Sequence, residues 1–411
     1  MLLIKNIGVL QTPVGSFKHG GEKQGENLKL KNAAVLAEGG RITAVTCDGA
    51  LPEGWEKADQ VIDARGCLVT PGLIDCHTHM VFGGYRQGEI PLKLRGAGYL
   101  DILRAGGGIL DTVGKTRAAT EDELYEKTRA FMDEMLDLGV TTVESKSGYG
   151  LDRENELKML RVNKRLAKSH KMELVSTFLG AHAIPEEYKG RSGAYIDMLC
   201  EEVLPVVKAE NLAEFVDVFC EDGVFDVEES RRMLEAGQKL GLRARIHADE
   251  IEEIGGAVLS GELGAVSAEH LIATGERGMA SMAKGGVIAD LLPATSFYLN
   301  KTFAPARRMI ELGIPVAIAS DFNPGSCPSL NLQLAMSMGY IKYRMTPEEV
   351  LTAVTINAAA SVGREDRLGT LEVGKQADLV LWDAPDMEML IYRFGSNLAR
   401  TVIKNGEVVK S

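Results

Sequence analysis

The stretch Leu73-Ile74-Asp75-Cys76-His77-Thr78-His79 places two imidazoles one residue apart where a short apolar run ends. Side chains two apart on a strand point to the same side, so His77 and His79 can share one metal ion. An H-x-H pair says little alone, and its surroundings decide its meaning. From Val69 onward, apolar runs of about five residues alternate with amphipathic stretches, which predicts parallel βα units. Eight such runs end near Cys76, Ser145, Leu179, Cys220, Ile246, Glu269, Leu291 and Ser320. Eight parallel strands imply an α/β fold closed into a (β/α)8 TIM barrel. Helices are expected over Glu121 to Asp137, Val227 to Leu240 and Pro347 to Val362.

Outward from the barrel, Leu2 to Val9, Ala33 to Leu36, Ile42 to Thr46 and Gln60 to Asp63 read as short strands, with Gly39-Gly40 as a hairpin turn. Gly374 to Trp382 and Arg400 to Val409 return to strands, joined by an Asn405-Gly406 turn. The expected organisation is a barrel over residues 69–363 beside a small composite β-sandwich built from residues 1–68 and 364–411. No internal repeat or flexible linker separates the two, which predicts that they pack as one unit.

The chain has 411 residues, and 46 Lys+Arg against 58 Asp+Glu give a net charge of −12. Such acidity without a basic run argues against nucleic acid or an anionic membrane surface as partner. No apolar stretch reaches the ~18 residues that span a bilayer, and Met1-Leu2-Leu3-Ile4-Lys5 does not resemble an export leader. The expectation is a soluble, cytoplasmic protein. Cys47, Cys67, Cys76, Cys200, Cys220 and Cys327 are scattered without a C-x-x-C pair, as free thiols in a reducing compartment would be.

Of seven histidines, His77, His79, His182, His247 and His270 fall at the ends of predicted barrel strands, where a barrel gathers its site. His19 and His170 lie in polar segments and are expected at the surface. Asp321 closes the eighth strand, where an acid after an apolar run needs a cation or a donor. His77, His79, His247 and Asp321 therefore form a candidate metal set suited to zinc or ferrous iron. Glu250, three residues after His247, is a candidate proton shuttle between water and a leaving nitrogen. Gly114-Lys115-Thr116 superficially suggests a P-loop, but the spacing to Gly108 is wrong and no apolar strand precedes it. Gly106-Gly107-Gly108 reads instead as a connection that could serve as a lid.

The run Pro71 to His79, the split β region and Ala377-Asp378-Leu379-Val380 resemble the metal-dependent amidohydrolase superfamily. Within it, five stretches are similar to the imidazolonepropionase family of histidine degradation: Val81-Phe82-Gly83-Gly84 leading to Arg86, Lys146 to Gly150, Gly180 to Pro185, His247 to Glu250, and Asp321 to Ser326. The resemblance implies hydrolysis of 4-imidazolone-5-propanoate to N-formimino-L-glutamate, one Zn2+ or Fe2+ per subunit, and a homodimer acting on a small molecule. It carries the metal positions onto His77, His79, His247 and Asp321. Substrate and catalytic positions map onto Arg86, Tyr149, His182, Glu250, His270, Asn323, Gly325 and Ser326. Cys76 departs from the proline of some relatives. In this reading water activated at the metal attacks the ring carbonyl, Glu250 moves the proton, His270 steadies the oxyanion or the water, and Asp321 orients the nucleophile. Arg86 offers a planar fork to the propanoate carboxylate, with Tyr149 as a second donor.

Three rivals remain at this point. A hydantoinase-like or dihydroorotase-like enzyme would bridge two metals with a lysine on the fourth strand, which here ends Phe219-Cys220-Glu221. A mononuclear deaminase would release ammonia. A catalytically dead scaffold would share the fold, since a barrel alone does not imply chemistry.

Overall fold

The computed structural model describes residues 1–96 and 107–411. Its strands are β1 (Leu2–Thr12), β2 (Leu28–Glu38), β3 (Arg41–Thr46), β4 (Gln60–Asp63), β5 (Leu68–Pro71), β6 (Leu73–Asp75), β7 (Val140–Lys146) and β8 (Glu173–Ala181). They continue as β9 (Phe215–Cys220), β10 (Arg243–Ala248), β11 (Ser267–His270), β12 (Ile288–Leu291), β13 (Val316–Ile318), β14 (Leu379–Trp382), β15 (Ala399–Lys404) and β16 (Glu407–Lys410).

Strands β6 to β13 pair in sequence order, each parallel to the next, as the eight apolar runs predict. The ring closes just beyond the strand ends, where Thr78 and Phe322 form a parallel bridge. Asp321 N donates to the His77 carbonyl at 3.1 Å and His79 N to the Phe322 carbonyl at 2.8 Å. The seam therefore lies at the H-x-H run and Asp321.

The other strands form one eight-stranded sheet from both chain ends, in the order β16-β15-β14-β5-β1-β2-β3, with β4 parallel to β1 on the edge shared with β5. Antiparallel pairing of β5 with β14, Val69 opposite Leu381, joins the two ends. The glycine-bearing turns at Gly39-Gly40 and Asn405-Gly406 take positive φ throughout, as tight hairpins require. β1 and β2 run further than the apolar pattern suggests, because the register continues to Thr12 opposite Leu28 past polar residues of β2 that face solvent.

Helices obey local signals where these are strong. The helix Glu121–Asp137 opens on Thr120, whose side chain and that of Glu123 cap each other's backbone N–H, and it buries Leu124, Thr128, Met132 and Met135 on one face. Asp226 and Glu229 do the same for Val227–Lys239. The single helix expected over Pro347 to Val362 is instead two, Pro347–Ala353 and Ile356–Ser361. The Val354 carbonyl is drawn away to accept from Ile74 N at 2.9 Å, which interrupts the helical ladder. His19 is buried, contrary to expectation, with its ring nitrogens 3.0 Å and 2.9 Å from the carbonyls of Lys23 and Val14. Among the described residues no helix is long and apolar enough to cross a membrane.

Inside the barrel lies a fully buried charged layer. Lys146 Nζ is 3.1 Å from Glu144 Oε1, 2.9 Å from Asp217 Oδ2 and 3.1 Å from Glu269 Oε2. Arg245 reaches Glu269 Oε1 at 2.6 Å, Asp290 Oδ2 at 2.8 Å and the Cys76 carbonyl at 2.7 Å. Removing one partner of such a set strands the others without solvent. Arg245→Met is expected to cost about 3–5 kcal/mol, measured by urea unfolding with an unchanged denaturant slope.

Candidate active site

His77 and His79 follow the first barrel strand, His247 lies in β10 and Asp321 follows the last strand. Ligand atoms of the three histidines lie within 4.8 Å of one another. Asp321 Oδ1 is 3.3 Å from His77 Nε2 and 3.6 Å from His79 Nε2, while its Oδ2 accepts from the Thr295 hydroxyl at 2.5 Å. His77 Nε2, His247 Nε2 and Asp321 Oδ1 are buried without a hydrogen-bond partner. Orphaned polar atoms are rare in a folded interior, and here they converge. Three imidazoles and a carboxylate in this arrangement fit a divalent cation such as zinc or ferrous iron.

The rear nitrogens explain how the rings are aimed. His77 Nδ1 lies 2.8 Å from Glu269 Oε2, and His247 Nδ1 lies 3.1 Å from Asp217 Oδ1. A carboxylate behind a ring favours a proton on Nδ1 and leaves Nε2 for an ion in front. Burial alone would lower the His77 pKa, but Glu269 with the help of Asp321 reverses this and raises it to about 10. Burial also opposes charge on Asp321, yet His77 holds that carboxyl well below the usual range. The cluster thus favours positive charge at its front, whether proton or metal. Glu269 and Asp217, which support the donors, were not singled out from the sequence. Their only signal is an acid inside an apolar strand, Val216-Asp217-Val218 and Ala268-Glu269. Lys146 is held by three carboxylates, so it is an ion-pairing residue here and not a metal bridge.

Around the donors stand the other residues. His182 Nδ1 donates to the Gly148 carbonyl at 3.0 Å, and burial together with His247 lowers its pKa to about 3. Its neutral ring, stacked on His79 at 5.0 Å between centroids, presents Nε2 as an acceptor. His270 Nε2 lies 3.6 Å from Glu250 Oε2, and burial lowers the His270 pKa against the pull of Glu250 and Asp321. Asp249, His270 and Asp321 all adopt left-handed backbone, with φ of 50°, 69° and 53°. Such strain concentrates at functional sites and needs compensation. Here Ala273 N donates to the Asp249 carbonyl at 2.8 Å, and Leu271 N to that of Ala248 at 3.1 Å.

Arg86 lies flat on Gly325: a Cβ on that glycine would fall 0.9 Å from Nη2. The Arg86 Nε is buried and without a partner. Tyr149 is buried with its ring 6.0 Å from that of His79, and burial, against the pull of Arg86, raises its hydroxyl pKa so that it stays a neutral donor. Asn323 is turned into its own loop. Its Oδ1 accepts from Gly325 N at 2.9 Å and Ser326 N at 2.7 Å, and its Nδ2 donates to the Asp321 carbonyl at 2.8 Å.

The structure therefore brings the sequence-derived residues together. All of them line one cavity except His77, which lies beneath it, and Gly325, which lies behind Arg86. Phe219 and Ile109 complete the wall and carry no chemical signature that sequence reading could find. Of the candidate lid, Gly106 lies outside the described residues, and Gly108 N donates to Glu89 Oε1 at 2.7 Å.

Residues 68–409 match the model of the amidohydrolase family. The chain is 50% identical to a protein named imidazolonepropionase from Alkaliphilus metalliredigens, over 99% of this chain and 97% of that one. It is 51% identical to one of the same name from Bacillus mycoides, over 92% and 89%. The chain belongs to the amidohydrolase family, in its imidazolonepropionase group. Among solved amidohydrolase-like folds, a zinc complex of atrazine chlorohydrolase from Arthrobacter aurescens superposes with a TM-score of 0.73 at 20% identity, covering 100% of this chain and 95% of that one. An adenosine deaminase from Xanthomonas campestris with bound zinc gives 0.68 at 19%, covering 100% and 92%. At those identities the likeness concerns fold.

A metal held at His77 Nε2 would displace that ring's second proton, so its binding would be linked to pH. In the ion-free amidohydrolase, the stability that this proton contributes is complete below about pH 6.5, the ordinary imidazole value, and is lost as pH rises through about 10. The gap in melting temperature between metal-loaded and stripped protein, followed by calorimetry, is expected to widen with pH over that interval.

Proposed function

We propose that this protein hydrolyses the ring amide of 4-imidazolone-5-propanoate to N-formimino-L-glutamate. The observation that carries the reading is a carboxylate-receptive Arg86 facing the His/Asp donor cluster across one cavity, in a chain half identical to proteins named imidazolonepropionase. His77, His79, His247 and Asp321 would hold one Zn2+ or Fe2+ per subunit. That ion supplies Lewis acidity, which polarises a carbonyl and acidifies a water.

The chain's own groups then divide the work. The Arg86 fork receives the propanoate carboxylate, aided by the Tyr149 hydroxyl, and so fixes the ring over the cluster. His182 Nε2 accepts from a ring N–H. Asp321 orients the attacking water. Neutral His270 donates toward the developing oxyanion. Glu250 takes the proton from water and delivers it to the ring nitrogen as the C–N bond breaks, so water is added across that bond. Asn323 and Ser326 shape the wall beside Arg86.

Two features weigh against the rivals. β9 ends without a lysine, and Lys146 is committed to ion pairs, which leaves no bridge for a second metal of the hydantoinase type. A deaminase acting on a free base has no need of Arg86. Six unpaired cysteines suit work in the cytoplasm, and a homodimer fits the family resemblance.

The decisive assay follows the absorbance of 4-imidazolone-5-propanoate, generated in situ from urocanate by urocanase. Accelerated, chelator-sensitive loss with formiminoglutamate and without ammonia is expected, whereas ammonia release would mark a deaminase. Arg86→Gln and Gly325→Ala are each expected to raise KM about 10- to 100-fold, as loss of a charged hydrogen bond does. Glu250→Gln is expected to retain metal while kcat falls about 10²- to 10⁴-fold, and near-normal turnover would sink the assigned role.

A further inference from the structure

Glu221 lies one residue past β9 and is 1% exposed, and among the described residues no basic side chain pairs with it. Its oxygens are engaged by backbone instead. Oε2 accepts from Ile251 N at 2.8 Å, and Oε1 accepts from Glu252 N at 3.1 Å and Asp222 N at 3.0 Å. Two of these donors belong to the residues that directly follow Glu250. A buried acid spent on a neighbouring strand's loop costs desolvation that loop order must repay.

The same loop is tied from the opposite side. Asp249 holds left-handed backbone, and its Oδ2 accepts from the Thr274 hydroxyl at 2.8 Å. Ala273 N donates to its carbonyl at 2.8 Å. Glu250 therefore sits on a turn gripped by the segment after β9 on one side and the segment after β11 on the other. Its own carboxylate approaches His270 at 3.6 Å and otherwise faces the cavity.

We propose that Glu221 is a positioning residue that sets the height and direction of Glu250 by clamping the backbone N–H groups of Ile251 and Glu252. The inference rests on the reading of Glu250 as proton shuttle. Glu221 does not touch the cavity, so its effect reaches the reaction only through Glu250. Proton transfer is steeply sensitive to such placement, since an error near 1 Å costs about 10²-fold in rate.

Glu221→Gln keeps the shape but sets an amide N–H2 against one of the backbone donors. In the metal-loaded protein it is expected to bind metal as the unaltered chain does, to keep KM within about threefold, and to lower kcat about 10- to 100-fold. The double variant E221Q/E250Q should be no slower than E250Q, because a misplaced shuttle that has already been removed costs nothing more. Should E221Q fail to fold, Glu221→Asp, whose oxygens fall one methylene short of the same donors, is read in the same way. Unaltered kcat in the clamp variant overturns the inference. So does a double variant slower than E250Q by the full factor of the single change, which would mark a general loss of structure. Unaltered turnover in E250Q alone would overturn the shuttle reading itself, and the clamp with it.

Discussion

Contact between opposite charges out of reach of water governs this molecule's interior. Lys146, Arg245, Glu144, Asp217, Glu269 and Asp290 are all fully buried in the barrel. Moving such ions out of water costs several kcal/mol each, and only close mutual contact offsets it. Because Lys146 comes from β7, Asp217 from β9, Arg245 from β10, Glu269 from β11 and Asp290 from β12, the pairs hold those strands in one relative register. The same carboxylates back His77 and His247. One network therefore stabilises the barrel and aims the imidazoles of its candidate metal site. Four acids against two cations, with Asp321 in front, leave an excess of negative charge that a divalent ion would offset in large part.

Closure of the ring completes the donor set. His77 and His79 lie about 240 residues before Asp321 in the chain, and they meet because the first and last barrel strands bridge at Thr78 and Phe322. The chain-end sheet holds the other end of that first strand, since β5 leads directly into β6 and is held by β14. Trp382 Nε1 donates to the Thr70 hydroxyl at 2.8 Å across this junction. The conformational strain at His270 and Asp321 sits at the seam's end of the barrel, at or just beyond the carboxyl ends of the strands.

The placement of Arg86 depends on a different device. The loop carrying Arg86 is pinned at Gly83, whose N–H meets the Thr116 hydroxyl at 2.9 Å and whose carbonyl meets Lys127 Nζ at 3.2 Å. The Lys127 ammonium lies over the Phe82 and Tyr85 rings at 4.2 Å and 4.8 Å, which adds cation–π attraction to the hold. Gly325, lacking a side chain, lets the guanidinium lie where any Cβ would collide. The position of the guanidinium thus depends on a vacancy in one loop and a clamp on another.

Much of this was legible in the chain. Period-2 and helical patterns give the eight barrel strands to within about two residues, and histidines at strand ends mark residues that the structure gathers at one cavity. Local capping signals place the helices at Glu121 and Val227. What local signals cannot carry is competition between distant groups. The break at Val354 arises because Ile74, far away in sequence, takes its carbonyl, and His19 is buried by contacts that a polar segment does not advertise. The supporting charges Asp217 and Glu269, the vacancy at Gly325 and the grip of Glu221 on the loop after Glu250 exist only once strands are neighbours. The sequence by itself determined element type, strand number and the chemical kinds at the strand ends, because these follow from periodicity and side-chain chemistry. Only the tertiary structure decided which charges touch, which atoms are left unpartnered and which way each donor points, because those depend on distances between residues the chain keeps far apart.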